Sequence, residues 1–289
     1  MPSAARVRRW QEAAARGDAG AQCNVGLSFY HGWHCDADRE QAVVWRRRAA
    51  AQGLAEAQFD LGASYYFGQG VEQDAALAVK WYAKSAAQGF AVAQFNLGVC
   101  CAQGTGVAQD AALAAAWHSK AAAQGFAPSQ FRLGLCYDDG AGVAQDGTLA
   151  AHWIGRAAEQ GYARAQLVIA SCYDTGKGVA QNAARATEWY AMAAARGNAQ
   201  AQSILAVRYE LGLGAVQDAA LAAEWYAKAA AQGYADAQHC LGFCYENGNG
   251  VTRDDNLAMR WYRKAAAQGH EEAVAAVARL AAAAPRRAS

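Results

Sequence analysis

Seven tryptophans stand at positions 45, 81, 117, 153, 189, 225 and 261, each 36 residues after the last. Seven glutamines, Gln22, Gln58, Gln94, Gln130, Gln166, Gln202 and Gln238, keep the same step in a second register. Two ladders of one period confine the chain to an array of like repeats. A fixed period in this range marks a solenoid, in which each repeat buries against its neighbours a face it cannot bury alone. A length of 289 residues would by itself suggest about two domains. The period overrides that prior and predicts a single helical-repeat domain over 1–289.

One repeat, residues 55–89, reads "AEAQFDLGASYYFGQGVEQDAALAVKWYAKSAAQG". Gln58, Leu61, Gly62 and Tyr65 fall at i, i+3, i+4 and i+7, which is one face of a helix. Leu77, Ala78 and Trp81 follow at i, i+1 and i+4, then small Ala86 and Ala87. Two helices of about three turns each, joined by a glycine loop, account for the repeat. Gly62 and its equivalents Gly26, Gly98, Gly134 and Gly242 are expected to let the paired helix approach closely, and Ala170 and Ala206 keep that slot small. The glutamine is the one polar residue on the packing face. A buried amide needs partners, so each is expected to bond backbone groups at a repeat junction. Each tryptophan is expected to fill such a junction.

The stretch "GQGVEQD" at 68–74 could be mistaken for a phosphate loop. It joins helix to helix, with no preceding strand, third glycine or following lysine, so the phosphate-binding context is missing. Glycine here supplies positive φ where the first helix ends. Asp74, with Asp38, Asp110, Asp146, Asn182, Asp218 and Asp254, then caps the second helix.

Apolar residues make up 54% of the chain, mostly alanine, with three prolines, the profile of a folded helical protein. A formal net charge of +1 provides no basic field for nucleic acid or an anionic membrane. The N-terminus "MPSAARVRRWQEAAARGD" has no apolar core of a signal peptide, and no apolar run approaches the roughly 20 residues of a membrane span. A cytoplasmic protein with neither nucleic-acid nor membrane partners is the expectation.

The pattern A-x-A-Q-x-x-L-G-x-x-Y-x-x-G-x-G-V-x-x-D-x-x-x-A-x-x-W-Y-x-x-A-A-x-Q-G resembles the Sel-one-like repeat family, relatives of the tetratricopeptide repeats. The resemblance covers about residues 18–269 in seven copies. It implies an all-α, right-handed α/α superhelical solenoid whose first helices line the inner surface. Residues 1–17 and 270–284 read as terminal capping helices and 285–289 as a flexible tail. Members of the family are adaptors and scaffolds with diverse partners, so the resemblance implies a non-enzymatic protein that holds a peptide or protein, with no cofactor.

Tetratricopeptide relatives use the corresponding inner face as a ligand groove. On that face the early repeats place Tyr30, Phe59, Tyr66, Phe67, Phe95 and Val99, and the later repeats place Asp138, Asp174, Glu210 and Glu246. A groove apolar at one end and acidic at the other suits a segment with hydrophobic anchors and basic residues. The competing reading is that Phe59, Phe95 and Phe131 seal neighbouring repeats and that the carboxylates form a solvated face.

Cys100, Cys136, Cys172 and Cys244 share one slot with Ser28 and Ser64 and are read as small reduced packing residues, since equivalent first helices lie too far apart for a bridge. His31, His34, Cys35 and Asp36 crowd the first loop, and His239, Cys240 and Cys244 share one helix. A metal-binding or redox-responsive protein using these clusters is the alternative reading; zinc would need three or four of them to converge. The chain has no Ser-x-x-Lys or Gly-x-Ser-x-Gly motif, its six histidines fall in unrelated slots, and no catalytic residue is assigned.

Overall fold

The computed structural model describes residues 1–283; the expected tail at 285–289 lies outside the described residues. Among the described residues there are sixteen helices and no strand. Helix α1 (Ala4–Ala15) precedes seven hairpins. These are α2 (Ala19–His31) with α3 (Arg39–Ala51), α4 (Ala55–Phe67) with α5 (Ala75–Ala87), α6 (Ala91–Gln103) with α7 (Ala111–Ala123), and α8 (Ala127–Asp139) with α9 (Gly147–Glu159). Then follow α10 (Ala163–Thr175) with α11 (Ala183–Ala195), α12 (Ala199–Leu211) with α13 (Ala219–Ala231), and α14 (Ala235–Asn247) with α15 (Asp255–Ala266). Helix α16 (Glu271–Ala283) comes last. The architecture is an all-α solenoid of helix hairpins.

Contacts gather into two compact units, Met1–Trp153 and Ile154 onward, with the boundary inside α9. Within each unit a helix packs against its neighbours in sequence, α1 through α8 in the first and α10 through α16 in the second.

The hairpins close as the glycine slot requires. A Cβ on Gly62 would lie 2.7 Å from the Tyr82 ring, and one on Gly98 2.7 Å from His118. Gly242 meets Tyr262 in the same way. The second helices therefore seat a ring directly on the backbone of the first. That ring is not the tryptophan. Tyr82, Tyr226 and Tyr262, each one residue after it, are fully buried. Trp81 is half-buried and packs against a cluster that joins Val43 and Ala49 of the preceding repeat to Ala57 and Leu61 of its own. Its ring also carries the Lys84 ammonium, 4.2 Å from its centroid. The indole thus bridges a junction without being enclosed by it.

Each ladder glutamine donates from Nε2 to the backbone carbonyl eight residues earlier, Gln58 to Ala50 at 3.2 Å and Gln94 to Ala86 at 3.1 Å. A second glutamine, 30 residues further on, donates in turn to its Oε1: Gln88 to Gln58 at 2.8 Å, Gln124 to Gln94 at 2.8 Å, Gln232 to Gln202 at 2.8 Å. Gln58, Gln94 and Gln202 thus have both donor and acceptor engaged, the condition for burying an amide. Among the described residues, Gln166 departs from it. Arg196 occupies the second-glutamine slot, and Gln166 Oε1 is buried without a hydrogen bond. Arg196→Gln is therefore expected to stabilise the protein by about 1 kcal/mol, the net worth of one recovered bond. Thermal denaturation checks it, and an unchanged or lowered melting temperature would count against the glutamine relay.

The loops also follow the expected chemistry. Gly68 ends α4 at φ 66°, in the left-handed region, and its N–H donates to the Ser64 carbonyl. Asp74 Oδ1 then accepts from Leu77 N at 2.8 Å, and Asn182 Oδ1 from Arg185 N at 3.0 Å.

Candidate functional site

In the first unit the aromatic residues of the expected face divide between seams and open surface. Phe59 lies between Tyr82 and Phe90, both with ring centroids 5.6 Å away. Phe95 lies likewise between His118 at 5.6 Å and Phe126 at 5.7 Å. Phe90 and Phe126 precede the first helices of the following repeats, so Phe59 and Phe95 seal seams. Tyr30 is half-buried under the Arg39 and Arg46 guanidiniums, and its hydroxyl donates to Gln69 Oε1 at 2.9 Å. Tyr66 packs edge-on against Phe67, and Phe67 stands 63% exposed. Asp138 is half-buried on α8.

Beside Val99 the face opens into a cavity of about 210 Å³ between α6, α7 and α8. Val99, Ala102, Ala114, His118, Leu135 and Cys136 line it, with Arg132 and Asp139 among the polar groups. Two short side chains, Ala102 and His118, form part of its wall. Elsewhere the buried ring of the second helix meets a large side chain of the first: Tyr82 meets Tyr66 at 6.3 Å, and Tyr226 donates to Glu210 at 2.7 Å. Here the same two slots hold His118 and Ala102. An imidazole is shorter than a phenol, and a methyl group replaces the carboxylate, so the volume between them stays open. His118 is buried with Nδ1 lacking a hydrogen bond. Burial, then the Arg132 charge, pushes its pKa down to about 4, which keeps the ring neutral at physiological pH.

In the second unit the carboxylates are tied to the protein's own donors. Asp174 takes two bonds from Arg208 Nη1, at 2.8 and 2.7 Å. Glu210 accepts from the Tyr226 hydroxyl. Glu246 accepts from Tyr262 at 2.8 Å and pairs with both terminal nitrogens of Arg279. Arg279, then Tyr262, hold the Glu246 pKa below the usual carboxylate range. A cavity of about 360 Å³ beside Glu210, Leu211 and Cys244 repeats the seam position of the one beside Val99.

The histidine–cysteine clusters do not assemble as the sequence suggests. His31 stacks on Trp33 at 4.7 Å, His34 Nε2 lies 2.8 Å from the Pro2 carbonyl, and Cys35 donates to the Ser28 carbonyl. Each is committed to a different neighbour. Cys244 sits in the core, and His239 turns instead to His270 and Glu272; one donor atom from each of these three lies within 4.8 Å of the others. Burial, then His270, lowers the His239 pKa. Burial pushes the Cys23 and Cys244 thiols up to about 12 and Cys100 and Cys240 to about 11, so they are protonated and unreactive near neutrality. The partners of Arg208 and the cavity at His118 were not anticipated. Their signal was present as single residues that break their ladders.

A sequence profile of the Sel1 repeat matches residues 19–54, 55–90, 91–126, 127–162, 163–198, 199–234 and 235–270. The chain is similar to the crystal structure of c5321, a protective antigen of uropathogenic Escherichia coli displaying an SLR fold, with 37% identity and a TM-score of 0.92. That alignment covers 95% of this chain, which spans 59% of the length of the Escherichia coli protein. It is also similar to a Sel1 repeat protein from Oxalobacter formigenes, with 36% identity, a TM-score of 0.76, and coverage of 95% of this chain and 79% of that one. No curated protein matches the chain.

Proposed function

The chain belongs to the Sel1 repeat family, and on that premise we propose that it is a non-catalytic adaptor holding a peptide or protein on the face made by its first helices. Sel1 repeat proteins generally mediate protein–protein interactions, and the scaffold is typically non-catalytic. The observation that carries the reading is the open cavity beside Val99, on the face where an anchor side chain would enter. Its size suits one large apolar side chain. Interface energy concentrates in such anchors, seated in desolvated pockets. Exposed Phe67 adds apolar contact in the same unit. On the second unit Asp174, Glu210 and Glu246 keep lone pairs beyond those their internal donors use, and these would meet basic residues of the partner.

No described helix is long and apolar enough to cross a membrane. A reducing, cytoplasmic setting belongs to the same proposal, because Cys100, Cys136 and Cys244 sit on separate first helices and not in facing pairs.

Calorimetric titration against peptides carrying apolar and basic residues tests the reading. Ala102→Phe fills the cavity, and Phe67→Ala removes the exposed ring. Each is expected to weaken binding about tenfold or more, as loss of a central anchor does. Undiminished binding by both variants would remove the first-unit face as the site. Equal binding after neutralising Asp138, Asp174, Glu210 and Glu246 together would remove the acidic contribution alone.

A further inference from the structure

Ring pairs seal the seams of the early repeats. Phe59 on α4 faces Phe90 ahead of α6, and Phe95 on α6 faces Phe126 ahead of α8. At the last seam the same two slots hold His239 on α14 and His270 ahead of α16, with centroids 4.7 Å apart and planes within 20°. His239 keeps the packing of its counterpart: it lies 5.5 Å from Tyr262, as Phe59 lies 5.6 Å from Tyr82. The shape of the seal is retained while its hydrocarbon is replaced by nitrogen donors, and a seal alone gains nothing from that exchange.

The surroundings change with the rings. Asp236 and Glu272, themselves one repeat apart, flank the pair. His270 Nε2 lies 3.6 Å from Asp236 Oδ1, and His239 Nδ1 lies 3.8 Å from Glu272 Oε2. The other nitrogen of His270 faces the start of α16, where Nδ1 accepts from Ala273 N at 3.3 Å and caps the helix. That bond fixes the ring and directs Nε2 toward the acidic side. Donor atoms around tetrahedral zinc stand roughly 3.4 Å apart, given bonds of about 2.1 Å. The present limit of 4.8 Å therefore asks three incompletely buried side chains to close by little more than an ångström, and the stacked His239 ring to turn so that the in-plane lone pairs of both rings meet one ion.

We propose that His239, His270 and Glu272 form a divalent-metal site of the zinc class, with Asp236 beside His270, and that the ion ties α16 to α14. Two imidazoles and a carboxylate are the borderline nitrogen–oxygen set that zinc favours, and three protein ligands leave a position for water. The ligands come from α14 and from the start of α16 with the residue ahead of it, which are not paired in one hairpin, so an ion there acts as a clip on the terminal helix. Bound metal stabilises whichever state holds the site formed.

Titration of the full chain with zinc chloride is expected to show one ion bound, reversal by a chelator, and a rise in melting temperature. The double variant His239→Phe, His270→Phe places the Phe59–Phe90 pair at this seam, so it should fold; zinc affinity is expected to fall at least tenfold and the thermal shift to vanish. His270→Asn retains a side chain that can cap α16 and is expected to weaken binding without unwinding that helix. Because thiols also take zinc, cobalt(II) serves as a second probe, and its complex should lack the thiolate charge-transfer band. Absence of binding, an unaltered zinc response in the Phe–Phe variant, or a thiolate band in the cobalt spectrum would each overturn the site.

Discussion

Arg208→Ala is expected to destabilise the second unit by about 3 kcal/mol, the lower part of the range for breaking a buried ion pair. Arg208 is 4% exposed on α12, in a slot that elsewhere holds Ser28, Ser64, Cys100 or Cys244. Two helices satisfy its guanidinium. Nη1 reaches both oxygens of Asp174 on α10, Nε donates to Thr187 Oγ1 on α11 at 2.7 Å, and Nη2 donates to the Ala183 carbonyl at 2.7 Å. Alanine would leave a cavity and strip these acceptors of their donor. The loss stays near the lower bound because the Asp174 side chain is 28% exposed and recovers water. The double variant Asp174→Ala, Arg208→Cys copies the seam formed by Ala102 and Cys136, and it should recover most of the loss. Denaturant unfolding with amide exchange across α10–α12 measures both. A single-variant cost under about 1 kcal/mol would show that the network is dispensable.

The hairpins, the aspartate caps and the glutamine bonds were legible because each slot recurs seven times and meets a similar neighbour each time. Periodicity reports which positions share a face. It does not report which member of an adjacent pair turns fully inward. Trp81 and Tyr82 are neighbours on one helix, and the smaller tyrosine is the one enclosed, because it sits over Gly62. The internal partners of the carboxylates were hidden for a related reason. Asp174, Glu210 and Glu246 do stand at one slot, yet their donors lie 16 to 34 residues away on other helices, a distance no local pattern spans. Departures from a ladder were visible as odd residues. What each one touches required the neighbouring repeat. Arg196, Arg208 and the His118–Ala102 pair are all of this kind, and so is the His239–His270 pair.

Gly106→Ala is expected to cost about 3 kcal/mol or more, against about 1 kcal/mol for Gly125→Ala, because overpacking adds to the backbone term at the first site alone. Both glycines have positive φ, 71° and 85°. They differ in what surrounds them. A Cβ on Gly125 meets nothing within 4 Å, whereas one on Gly106 would lie 2.2 Å from the Ala75 carbonyl at the start of the preceding second helix. Backbone cannot swing aside as a side chain can, so two repeats would have to separate. The first repeat shows that φ is not the main barrier. His34 occupies the same slot at φ 57° with a full side chain, its imidazole beside the Pro2 carbonyl, where no second helix precedes it. The second glycine of the loop is therefore set by contact between repeats. A residue tolerant of left-handed backbone, such as asparagine, should fail at 106 nearly as badly as alanine. Equal melting temperatures for Gly106→Ala and Gly125→Ala would leave the loop a turn and nothing more.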